Sequence, residues 1–179
     1  MDTERSYEKI ERSDLERLSA LAREDREVFF SRIPRWKELY SDRVICMAMC
    51  QGAALHYVNS KNGIKDFDVW TFYAQHPKAS FPARRVVSKD FGMSKFGKDS
   101  NEAHYIGRRV DLIGRSIACA VDVDPVEAIK KYLSGAQTSS ARLLAVKAVV
   151  LIEPADRCGL VVWDGEYLTN ADLRLVSSL

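Results

Sequence analysis

The sequence predicts an α/β (α+β) protein, and three observations carry that reading. Val44–Cys50 is a near-continuous apolar run, VICMAMC, which suits a strand buried on both faces. Further strand-like runs follow at 66–73, 108–113, 148–152 and 160–163. Around them lie stretches with helix start signals, chiefly Ser13 with Glu16 three residues on, and Asp124 with Pro125.

In chain order, residues 13–31 read as a helix with Leu15, Leu18, Ala22 and Phe29 on one stripe. Pro34 breaks that pattern. Residues 1–40 are therefore expected to form an N-terminal helical arm, a docking helix that could also receive a protein partner, and 41–179 the main domain. Residues 53–58 suit a short helix, and 75–106 are expected to be irregular, with Pro77, Pro82, Gly92 and Gly97. A helix should run from Pro125 to about Leu133 and stop at Gly135. Another is expected from Ser139 or Ser140 to about Lys147, and a short terminal one over 171–176.

Composition narrows the function classes. The 179 residues are 46% hydrophobic and 29% charged, so a folded domain with a real core is expected rather than a disordered chain. A net charge of +2 gives no global electrostatic case for nucleic acid. The charged opening Met1-Asp2-Thr3-Glu4-Arg5 does not resemble a signal peptide, and no apolar run reaches the length of a bilayer span. A reduced, cytoplasmic protein without membrane contact is expected. The four cysteines, Cys46, Cys50, Cys119 and Cys158, lack zinc spacing and read as thiols, the first two in the core. His56, His76 and His104 read as packing or surface residues.

The candidate chemistry lies at Asp66 and Asp68, heading the second strand. Alternate residues of a strand share a face, so these carboxylates should stand roughly 7 Å apart and repel. A cation between them would relieve that repulsion. Asp111 sits inside the next apolar strand, where Asp is disfavoured.

These residues fall into a larger pattern. A strand ends in Gly52-Ala53, Asp66-Phe67-Asp68-Val69 follows after twelve residues, and Val110-Asp111-Leu112 supplies a third acid. Over residues 44–113 this resembles the nucleotidyltransferase superfamily of polymerase-beta-like and minimal nucleotidyltransferases. GIKDFDVW and FGMSKFG are also similar to stretches of small bacterial members. The resemblance implies a small mixed sheet with flanking helices. It implies magnesium (or manganese) held by Asp66, Asp68 and Asp111, with Asp111 alternatively acting as base. It also implies a nucleoside triphosphate positioned by Gly52 and Ala53. Ala53 stands where the family usually has Gly or Ser, so only its backbone N–H could meet phosphate.

The activity so implied is magnesium-dependent transfer of a nucleotidyl group to a hydroxyl of a protein, RNA or small molecule. Two rivals accompany it: a non-catalytic member that binds a partner, and a metal-dependent phosphodiesterase or nuclease. Arg84, Arg85, Lys89, Lys95, Lys98, Arg108 and Arg109 cluster around the irregular segment and are expected to supply phosphate contacts, with Arg109, Arg84 and Arg85 foremost. Lys65 is expected on the surface.

Overall fold

Helix α1, Arg12–Arg32, buries Leu15, Leu18, Ala22 and Phe29 along one face. Its cap is not the expected Ser13 with Glu16. Glu11 is the N-cap, and its N–H donates to the Asp14 carboxylate at 2.7 Å. Lys95, from a distant loop, fixes this choice by pairing with both Glu11 and Asp14. Pro34 ends α1 by opening α2, Pro34–Tyr40, where its fixed φ suits a first helical position. The computed structural model describes residues 4–82 and 85–165. Arg84 and the helix expected over 171–176 lie outside them.

Strand β1, Val44–Cys50, passes directly into α3, Gln51–Asn59. Strand β2 is Phe67–Ala74. The stretch expected to be irregular contains a strand, β3, Val86–Asp90. It is an edge strand without a buried face, so no apolar alternation announces it. Strand β4, Arg109–Ile117, runs four residues further than expected. Gly114 hides its continuation in the sequence, yet Gly114 is required by packing. A Cβ there would stand 2.4 Å from a ring carbon of Phe81.

Helix α4, Pro125–Gly135, is capped as expected, with Asp124 accepting from the Glu127 N–H at 3.2 Å. Gly135 stays helical, and Ala136 takes the left-handed position beyond it. Helix α5, Ser139–Ala145, is capped by Thr138. Strands β5, Ala148–Glu153, and β6, Val161–Trp163, complete the described chain.

Among the described residues, six strands lie in the order β3-β4-β2-β1-β5-β6, a mixed sheet in which only β2 and β4 are parallel. Met47, Met49, Phe67, Val69, Val110 and Leu112 face α1 and α3. Ala48, Cys50, Trp70, Phe72 and Ile117 face α4 and α5 on the other side. The helices of the 1–40 arm thus share a core with the sheet. A third aromatic cluster joins Phe29, Phe30 and Tyr40 to Tyr73 and Phe81. Cys46 and Cys50 are buried thiols, and all four cysteines are free. Among the described residues no helix is long and apolar enough to cross a membrane.

The loop between β3 and β4 is closed at its neck. Asp90 accepts from the backbone N–H groups of Gly92, Ile106 and Gly107 at 2.6–2.9 Å. Gly107 must be glycine, because a Cβ would lie 1.9 Å from the Gly92 carbonyl oxygen. Buried Arg108 then donates to the carbonyls of Phe96, Glu4 and Lys65 and ties the loop to the N-terminal segment.

Candidate active site

Three chain segments meet at one end of the sheet. Antiparallel pairing sets Cys50, the last residue of β1, opposite Asp68. Parallel pairing sets Asp68 opposite Asp111. Residues opposite one another on paired strands share a face, so both carboxylates lie on the side of α4 and α5. Gln51 and Gly52, at the start of α3, follow at once. Gln51 adopts φ 60, a left-handed conformation that non-glycine residues seldom take and that often marks a functional turn. Asp66 lies one residue ahead of β2 rather than within it.

One guanidinium holds most of the acidic groups. Arg109 donates to Asp66 at 2.6 Å, to Glu102 at 2.5 Å and to Asp111 at 3.2 Å. The Ser88 hydroxyl adds a bond to Asp111 at 2.6 Å. Burial works against the charge of Arg109, but Asp111, Asp66 and Glu102 outweigh it and raise its pKa. Asp68 takes no part in this network. Burial first, and then the charges of Asp66 and Asp111, push its carboxyl up from 3.8 to about 7, although Arg109 and Lys147 pull the other way.

Beside Asp68 opens a cavity of about 330 Å³, lined by Gln51, Gly52, Asp66 and Asp68 together with Arg5, Lys65 and Lys147. Cys50, at the N-cap of α3, makes no side-chain capping hydrogen bond. A helix start of this kind presents backbone N–H groups that suit an anion. The cavity therefore carries carboxylates on one wall and three cations around the rest.

The sequence-derived candidates divide accordingly. Gly52, Asp66 and Asp68 line the cavity, and Asp111 and Arg109 stand next to it. Ala53 is 2% exposed, its methyl in the core between α3 and the sheet, which leaves only its backbone for a ligand. Arg85 is not at this site. It forms a two-bond pair with Asp25 of α1 at 2.6 and 3.1 Å and stacks 4.1 Å from the Phe29 ring centre. Those partners lie over the opposite sheet face. Lys95 and Arg108 are likewise committed to α1 and to backbone carbonyls. The rim cations are instead Arg5, Lys65 and Lys147. Nothing local marks Arg5 or Lys147, which tertiary folding alone brings near Asp68. Lys65 borders the cavity half-buried, not as the surface residue expected. His56 is a core residue: its Nδ1 accepts from the Gly63 N–H, so its Nε2 donates to the Glu8 carbonyl.

Would these residues hold magnesium? The donor chemistry suits it at Asp68, a carboxylate near two others and with no hydrogen bond among the described residues. The full set is not assembled, because Arg109 engages Asp66 and Asp111. Among the described residues no three His, Cys, Asp or Glu side chains stand together as a metal site. Comparison with known protein families, curated proteins and solved structures gives no match.

Proposed function

We propose that the chain has a nucleotidyltransferase-like fold, binds a nucleoside triphosphate at the Asp68 cavity and transfers its nucleotidyl group to a hydroxyl acceptor. The observation that carries this reading is the placement of Asp68 directly opposite Asp111, beside the Gln51-Gly52 start of α3. Strand direction supports it as well. β1 runs toward the site, while β2 and β4 run away from it in parallel, so a glycine turn and two carboxylates meet at one end. Arg5, Lys65 and Lys147 would neutralise the phosphates, and the first N–H groups of α3 would take phosphate oxygens. Asp68 would hold magnesium, joined by Asp66 and Asp111 once Arg109 releases them, and the ion when bound offsets charge on the attacking and leaving oxygens. Asp68 is the one of the three carboxylates outside the Arg109 network, so a cation or a proton would settle there first.

Arg109 favours a second reading. Its three ion pairs satisfy two of the three carboxylates without metal, as suits a member that binds a nucleotide or partner without catalysis. Calorimetric titration with each of the four ribonucleoside triphosphates, with and without magnesium, separates the possibilities. Magnesium-dependent binding that Asp68→Asn abolishes supports the first reading, when labelled nucleotide is also transferred. Binding without transfer, insensitive to magnesium, supports the second. If no triphosphate binds, both nucleotide readings fail.

A further inference from the structure

Four residues along β4 from Asp111, on the same sheet face, stands Arg115. The strand rise puts the two roughly 13 Å apart. Arg115 borders a cavity of about 490 Å³ between the far end of the sheet and α4. Ile117 and Tyr132 give that cavity apolar walls, while Lys131 and Glu127 stand on its α4 side and Cys119 at its edge. Its volume is that of a small-molecule site.

Arg115 is half-buried, and its Nε is fully buried with no hydrogen-bond partner among the described residues. No carboxylate pairs with it there. Glu127, also on the wall, is exposed and forms no ion pair with it. A charged N–H group withdrawn from water without a partner is unfavourable unless a ligand supplies one. Lys131 adds a second cation, so the wall carries two positive groups against one negative. This differs from the Asp68 cavity, where carboxylates dominate one side.

We propose that this cavity is a second ligand site, for a small molecule with an anionic head on an apolar body. The head, a phosphate or a carboxylate, pairs with Arg115 and Lys131. The body lies against Ile117 and Tyr132. The site is separate from the nucleotide cavity and stands whether or not the chain transfers nucleotides.

Cys119 is a built-in reporter, and Cys158, which borders a different cavity, is the internal control. The test follows alkylation of both thiols by peptide mass spectrometry on the full chain, with phenyl phosphate, benzoate or neutral phenol. Phenyl phosphate, benzoate or both should slow Cys119 alone, and phenol should not. Arg115→Gln should weaken the protecting anion about tenfold, the effect of losing one charge-assisted contact. Lys131→Gln, at an exposed position that leaves the fold intact, should weaken it several-fold when rates with and without probe are compared within the variant. Failure of both anions to protect Cys119 overturns the proposal. So does equal protection by phenol, or protection unchanged in either variant.

Discussion

Asp68 and Asp111 stand directly opposite one another on the parallel strands β2 and β4, and Arg109 bonds to Asp111 but not to Asp68. One carboxylate of the pair is therefore satisfied and the other is left with its charge partly unbalanced.

The first concerns pH in metal-free protein. Burial, with Asp66 and Asp111, raises the Asp68 carboxyl from 3.8 to about 7. Between those values the folded state holds a proton that the unfolded state has released, so stability falls as pH rises through this window. Above it the whole penalty stands. Asp68→Asn should remove the penalty. Urea unfolding should show the variant gaining on wild type between about pH 5 and pH 8 by on the order of 2–3 kcal/mol. Parallel pH profiles would contradict the buried-charge account.

Magnesium should raise the melting temperature of wild type, because a cation relieves Asp68. Asp68→Asn should lose most of that rise. Arg109→Gln should enlarge it, since Asp66 and Asp111 are then freed for the cation. Without metal the same variant should lose about 1–3 kcal/mol, between the values for exposed and for buried ion pairs. An unchanged magnesium response in Arg109→Gln would show that the guanidinium does not compete for the cation.

Lys147→Gln should weaken triphosphate binding by about 1–3 kcal/mol, the range for a charge-assisted contact. Arg85→Gln should leave affinity unchanged and lower stability through its lost pair with Asp25. If calorimetry finds the reverse, the triphosphate lies on the α1 side of the sheet.

Legibility in the sequence tracked how local each signal was. The strand Val44–Cys50, the acids Asp66, Asp68 and Asp111, and the Asp124-Pro125 helix start can all be read from neighbouring residues. Strand β3 cannot, because this edge strand has no buried face of its own. The end of β4 was masked by Gly114, whose reason is Phe81, far away in the chain. The cation rim is hidden from the sequence for the same reason. The run of arginines and lysines between residues 84 and 109 resembles a phosphate surface. Asp25, Glu11, Asp14 and several carbonyls claim Arg85, Lys95 and Arg108, while Arg5 and Lys147 arrive by tertiary folding.

Two glycines should respond in opposite ways. Gly107→Ala forces a Cβ to within 1.9 Å of the Gly92 carbonyl oxygen and should destabilise by more than about 2 kcal/mol, as strained backbone does. Gly135→Ala sits in the last turn of α4 with no contact closer than 3.8 Å and should stabilise by about 0.5–1 kcal/mol. Thermal unfolding reads both. Tolerance of alanine at 107 would mean that the Asp90 neck does not hold the loop.

A crystal of the chain grown with magnesium and a non-hydrolysable nucleoside triphosphate decides whether the Asp68 cavity is a nucleotide site. Phosphate density should appear beside Gly52 and Lys147, with a cation on Asp68. Triphosphate bound elsewhere, or a cavity empty at saturating nucleotide with Arg109 still on Asp66 and Asp111, would contradict that assignment.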